Sequence, residues 1–233
     1  MVHTSPTRNQ PRFAIPPLEN GDRLSRDEFE RRYGAMPHVR KAELIEGIVF
    51  MPAAALRFYS HGRPHNDLNV WLGTYRIFTP GTDVGDTPTV RLDDDNEPQP
   101  DVVLLIQPEC GGQVTLSDDD YVEGAPELVA EVAASTVSID LGAKKTAYQR
   151  NGVQEYIVWR VLDEQVDWFC LENGQYVDLL PDDDGITRSR VFPGLWLDRT
   201  ALLSGDMQQV LVVLQEGITS PEHQAFVQTL NPP

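Results

Sequence analysis

Three pieces of this chain could together do phosphate chemistry. Pro100-Asp101 opens an apolar run, Glu131 lies inside a second, and Lys144-Lys145 falls where a helix should follow. Two carboxylates can share a divalent cation, and an ammonium can orient a water molecule or neutralise developing charge, which are the parts of a metal-dependent phosphodiesterase. The lysines stand out because the chain has only Lys41, Lys144 and Lys145 against 36 acidic residues. Val102 to Leu105 is apolar on both faces, as a central strand is, which sets Asp101 at the strand's mouth. Leu128, Val129, Ala130 and Val132 surround Glu131 in the same way, and a carboxylate there is costly unless it is paired or bound to a cation. Its candidate partners are a divalent metal shared with Asp101, or Lys144. Hard oxygen ligands suit Mg2+, with Mn2+ as the alternative. The plainer reading is a structural Glu131 to Lys144 ion pair, with Asp101 merely ending a strand.

The elements that must position these groups alternate between strand and helix. Ser25-Arg-Asp-Glu28 matches a capping box for a short helix with Phe29 and Tyr33 on one face and Gly34 at its end. Glu43 to Met51 reads as two strand pieces around a turn or bulge at Gly47. Pro64 suits the first residue of a helix running to about Phe78, stopped by Pro80-Gly81. Strands are expected at about 83–92, 100–107 and 128–134. Ser138 caps a helix over 139–150 that closes at Asn151-Gly152. Glu155 to Arg160 and Val166 to Cys170 look like paired strands, with further strands near 175–180 and 186–192 and one or two helices after Thr200.

Composition bounds the function. At 233 residues the chain can bury a sizeable core, and its longest apolar runs fall far short of a bilayer span. The start lacks the pattern of a secretion signal and two cysteines make no disulfide framework, so a reducing cytoplasm is the expected compartment. A net charge of −17 argues against holding nucleic acid through a broad basic surface. The charge is uneven, however: residues 1–41 carry eight basic and five acidic residues, +3, leaving −20 for the remainder. A bound divalent cation also reverses the local sign and lets carboxylates approach a phosphate. The expected organisation is a flexible tail over 1–20, one domain over 21–204 and a helical extension over 205–233.

Glu43-Leu-Ile-Glu-Gly47, His61-Gly62, Gln99-Pro100-Asp101, Pro126 to Val132, Asp140-Leu-Gly-Ala-Lys144, Tyr148 and Gly152 to Tyr156 occur in one order and spacing. Over roughly residues 24–203 this set resembles the Uma-type family of restriction endonuclease-like proteins. The resemblance implies the PD-(D/E)XK nuclease fold, a mixed α/β architecture in which helices flank a mixed central sheet. It also implies magnesium between acidic strand residues, which carry onto Asp101 and Glu131. The superfamily's usual lysine stands two positions after the glutamate, where this chain has Ala133. Uma-type proteins look as though that lysine has moved to the next helix, onto Lys144. Lys145 lies about 100 degrees around the helix and so cannot point the same way. Glu43 resembles the upstream carboxylate that completes such sites, with Glu46 as the fallback.

His61-Gly-Arg-Pro-His65 mimics a zinc pair, but a helix starting at Pro64 leaves His61 outside it, and no Cys or third His is near. His61 is the better placed of the two to contact phosphate or act as a base. The runs Asp93-Asp-Asp95, Asp118-Asp-Asp120 and Asp182-Asp-Asp184 read as solvated turns. The expected function is a magnesium-dependent endonuclease acting on DNA through Asp101, Glu131, Lys144, Glu43 and His61, with a homodimer as one way to cut both strands. The alternatives are a non-catalytic protein-interaction module and a hydrolase of small phosphorylated molecules.

Overall fold

The computed structural model describes residues 15–51 and 57–230. Its elements, in chain order, begin with α1 (Arg26–Tyr33), the hairpin β1 (Glu43–Ile45) and β2 (Ile48–Phe50), and α2 (Arg63–Phe78). There follow β3 (Thr82–Asp86), β4 (Val90–Arg91), β5 (Val102–Ile106), β6 (Thr115–Leu116), β7 (Val122–Glu123) and β8 (Leu128–Ala133). A helical crossover, α3 (Val137–Ile139) and α4 (Lys145–Asn151), leads to β9 (Glu155–Arg160), β10 (Gln165–Glu172), β11 (Gln175–Asp178), β12 (Ile186–Arg188) and β13 (Trp196–Asp198). The described chain ends in α5 (Arg199–Ser204), α6 (Met207–Ile218) and α7 (Pro221–Leu230).

A six-stranded mixed sheet in the order β11-β10-β9-β8-β5-β3 forms the centre. Only β8 and β9 within it run parallel. A parallel pair needs a crossover, and the segment between 133 and 155 supplies one. The central strands β5 and β8 are buried on both faces, and apart from Glu131 their residues are apolar. Leu68, Trp71, Leu72 and Tyr75 of α2, together with Val210, Leu214 and Ile218 of α6, cover the face that carries Val102, Leu104 and Ala130. Tyr148 of α4 covers the other face, with Val103, Val129, Ala133 and Tyr156. The first of these cores thus runs across the expected boundary at 204/205. At the other end, Leu18 is buried in a third cluster with Phe29, Leu44 and Val49. The rest of the expected tail, residues 1–14, lies outside the described residues.

Several local expectations need correction. Ser25 does precede α1, but its side chain makes no capping bond, and Gly34 ends the helix in a right-handed conformation. The β1–β2 turn holds Glu46 and Gly47 both at positive φ, the geometry of a tight two-residue hairpin. α2 does not start afresh at Pro64: a wide π-type turn over Phe58–Gly62 runs straight into it. His61 is therefore helical, and its ring lies 5.6 Å from that of His65, one turn on. The helix before β9 starts from Thr136 rather than Ser138 and widens into a π-type turn over Asp140–Lys144 before closing at Gly152, φ +86. Three helices, not one or two, follow residue 198. Asp93 is no solvated turn residue, since its carboxylate accepts hydrogen bonds from Asn96, Arg150 and Asn151 and ties the loop to α4.

Candidate active site

Register brings the first two carboxylates together. Val102 pairs with Ala130 in the antiparallel β5–β8 ladder, so continuing it by one residue sets Asp101 opposite Glu131. Directly opposed residues share a face of the sheet, here the face that α4 covers. One oxygen of Asp101, Oδ2, accepts the Val132 N–H at 2.8 Å, which fixes the carboxylate against β8. Its other oxygen, Oδ1, has Lys41 Nζ at 4.0 Å and His61 Nε2 at 3.8 Å, both beyond hydrogen-bond length. The Asp101 carbonyl meets His65 Nε2 at 2.9 Å, and a carbonyl only accepts, so that nitrogen carries the hydrogen.

Lys144 arrives from the widened helical turn. Its ammonium stands 2.9 Å from Glu43 Oε1, 2.9 Å from Glu131 Oε1 and 3.8 Å from Asp140 Oδ1. Tyr148, one turn later, donates its hydroxyl to the same Glu131 oxygen at 3.0 Å. Glu43 is further held by the Gln99 N–H at 2.8 Å, and Lys41 bonds the Gln99 carbonyl. Lys145 turns away, its ammonium 3.4 Å from the Phe169 ring centroid. Glu46 also lies elsewhere, paired with Arg150.

Charge is out of balance here. Glu43, Asp101, Glu131, Asp140 and Lys144 are all buried: four carboxyl groups against one ammonium. Burial pushes Glu131 up to about 8, and Asp101, Asp140 and Glu43 add to the rise while Lys144 opposes it. Burial would lower Lys144, but Glu131, Glu43 and Asp140 hold it well above the ordinary range, so it stays an ammonium. For Glu43, burial is outweighed by Lys144 and Lys41, and its carboxyl lies below the usual value. Burial, followed by the charge of Glu131 and Glu43, raises Tyr148, which keeps its hydroxyl a donor. A buried surplus of negative charge is resolved by protons or by a cation.

Among the described residues, no three carboxylate, imidazole or thiol groups are arranged to enclose a metal ion. The donor set instead fits an ion that keeps most of its water. Magnesium takes one or two carboxylates and retains several waters, and Asp101 Oδ1 and the carboxyl of Glu131 are all-oxygen donors on one face.

A family model described as "Uma2: Putative restriction endonuclease" matches residues 26–200, well over half of the chain. The chain belongs to the Uma2 family. A crystal structure described as "a putative nuclease belonging to DUF820" from Anabaena variabilis ATCC 29413 shares this fold, with a TM-score of 0.52 over 79% of this chain and 97% of that one, at 10% identity. No curated protein matches. The Uma2 chain thus has the mixed-sheet, restriction endonuclease-like architecture that its motifs resemble. No helix among the described residues is long and apolar enough to cross a membrane.

Of the five sequence candidates, Glu43, Asp101, Glu131 and Lys144 converge, and His61 stands at the rim, its ring toward Asp101. Asp140 and Tyr148 join them, although the sequence reading used both only as motif positions. Their spacing of four residues on either side of Lys144 was the available signal, because such positions share a helical face. Lys41 and Gln99 carried no comparable signal. Ala133, the superfamily's lysine position, is fully buried in the core beneath α4.

Proposed function

We propose that this Uma2 chain is a magnesium-dependent endonuclease that hydrolyses phosphodiester bonds in DNA. The observation that supports it above all is the surplus of buried carboxylates around one ammonium at the end of the central sheet. Asp101 and Glu131 would hold the ion, as nucleases of this fold generally use a divalent metal, and manganese suits the same oxygens. When bound, the ion supplies a polarised water and charge stabilisation at the phosphate.

The chain's own residues do the rest. The Val132 N–H and the β5–β8 ladder hold Asp101 with one oxygen facing outward. Tyr148 and Lys144 fix the Glu131 carboxyl from the helix side, and Gln99 fixes Glu43 from the strand side. The Lys144 ammonium donates to an attacking water or to a phosphate oxygen, and Glu131, Glu43 and Asp140 favour its charged form. His61 Nε2, at the more open side of Asp101, can accept or return a proton at the departing or entering oxygen. Glu43 neutralises the lysine from behind and sets its direction.

The test is calorimetric titration with magnesium and manganese beside cleavage assays on DNA, RNA and nucleotides. Binding of about one ion, lost in Asp101→Ala together with cleavage while the fold survives, is the expected result. A chain that binds neither ion and cuts nothing would favour the non-catalytic, partner-binding reading. Cleavage confined to nucleotides would favour a small phosphorylated substrate, which the net charge of −17 repels less than it does duplex DNA.

A further inference from the structure

The turn that brings His61 to Asp101 has a second side. Phe58 and Tyr59 are 67% and 76% exposed, adjacent in sequence, and meet edge to face at 5.0 Å. Large aromatic side chains are not normally left in water in pairs. Behind Tyr59 lies a cavity of about 140 Å³, walled by Trp159 of β9, Leu202 of α5 and Gly205 just past it, Arg63 and Asp67 of α2, and Glu164. That volume is well below the roughly 300–1,000 Å³ of sites for drug-sized molecules and suits one flat ring system.

Asp67 is the unusual member. Its side chain is 12% exposed, and its nearest cation, Arg63 Nε, stands 3.7 Å away, too far for a hydrogen bond. Burial pushes its carboxyl up, and Arg63 only partly offsets this. A largely buried carboxylate that accepts no hydrogen bond, beside a cleft lined by both apolar and charged side chains, can take a donor from a ligand. This slot lies on the sheet face that α2 covers, opposite the face that carries Asp101 and Glu131. Trp159 pairs with Val132, one step beyond Glu131 opposite Val158, so slot and candidate site share one end of the sheet, with the first turns of α2 between them. On that helix His61 and His65 face one way, and Arg63 and Asp67 face the other.

We infer that this slot receives one unpaired nucleobase of the substrate, stacked on Tyr59 and donating from its edge to Asp67. The inference rests on the nuclease reading for its biological substrate. A carboxylate selects a base with adjacent donors. Guanine offers the ring N–H and the exocyclic amine side by side, cytosine and adenine offer an amine, and thymine offers one N–H between two carbonyls that repel the carboxylate. The substrate class that follows is single-stranded or locally unstacked nucleic acid. Base stacking is itself not a charge interaction, so it is the part of strand binding that a net charge of −17 does not oppose.

The test is an NMR titration of the full chain with the four deoxynucleosides, which carry no phosphate and require no metal. Deoxyguanosine should bind about tenfold more tightly than thymidine, a difference of about 1.4 kcal/mol, and should perturb the amides of Tyr59, Asp67 and Gly205. Asp67→Asn should erase that preference, and Tyr59→Ala should weaken all four by roughly tenfold while amide dispersion reports an intact fold. No binding, equal affinity for the four, shifts mapping elsewhere, or a preference that survives Asp67→Asn would overturn the inference. Nucleoside binding without metal-dependent cleavage would keep the slot and sink the nuclease reading, so the two failures are distinguishable.

Discussion

Two buried glutamates on adjacent strands have been given opposite surroundings. Glu155, the first residue of β9, accepts from the backbone N–H groups of Arg190 and Val191 at 2.7 and 3.2 Å, from Ser189 Oγ at 2.8 Å and from Trp168 Nε1 at 3.1 Å. All its donors are neutral and converge on both oxygens, so this carboxylate is a fastener for the 189–192 loop. Glu131, on β8, is met by an ammonium and a phenol on a single oxygen, with three further carboxyl groups nearby. Burial raises the carboxyl at both positions, so the shift alone does not separate them. What separates them is satisfaction: Glu155 is saturated by neutral donors on both oxygens, whereas Glu131 is bonded on one oxygen only and shares its surroundings with three other carboxyl groups.

The sharpest way to break this contrast is to neutralise each member. Glu131→Gln keeps the shape and removes the charge, so metal-dependent cleavage should fall by about 10³-fold, the scale of several kcal/mol of lost stabilisation. Single-turnover assays would read it, and undiminished cleavage would remove Glu131 from the site. Glu155→Ala leaves buried donors without an acceptor and should cost about 3 kcal/mol or more, seen as a melting temperature lower by roughly 6–12 °C. The same variant, assayed as folded protein well below its melting point, should cut at close to the wild-type rate.

A third buried glutamate sharpens the comparison through pH. Glu97 is pushed up to about 8 by burial and by the neighbouring Glu30 carboxyl, and its Oε2 has no partner among the described residues. Its folded value lies above the unfolded one, so between about pH 4.5 and 8 the native state holds a proton that the unfolded state has lost. Its contribution to stability should therefore decline as pH rises through that window, by at most about 1.4 kcal/mol per pH unit. Denaturant melts of Glu97→Gln should lack this slope, and identical slopes in both proteins would refute the assignment. The smallest effect is reserved for Lys145→Met. The contact with the Phe169 ring and the attraction to Asp178 and Asp167 are lost, so stability should change by no more than about 1 kcal/mol and cleavage not at all.

The central strands and the carboxylates were legible because burial and charge conflict openly in the sequence. Val102 to Leu105 and Leu128 to Val132 could only be interior, and an acid in or beside them demanded a partner. Turns that rest on glycine were equally readable at Gly47 and Gly152, where positive φ is needed. Less visible were features made by hydrogen-bond register. The π-type turns at 58–62 and 140–144 each add a residue to a helical ladder, and no composition marks that addition. The two-residue strands β6 and β7 pair only because the 113–125 loop folds back on β4, which is a tertiary event. Asp67 gave no signal, since an acid near the start of a helix is ordinarily a solvated one.

The packed core around Ala133 closes that position to a long cationic side chain. With Tyr148, Tyr156 and Val158 packed into the same cluster, no room remains for a long cationic side chain at that position. A single back-substitution, Ala133→Lys, would thrust methylenes into this closed interior before any ammonium reached the carboxylates. A lysine at 133 would therefore require the aromatic layer beneath α4 to be rebuilt around it.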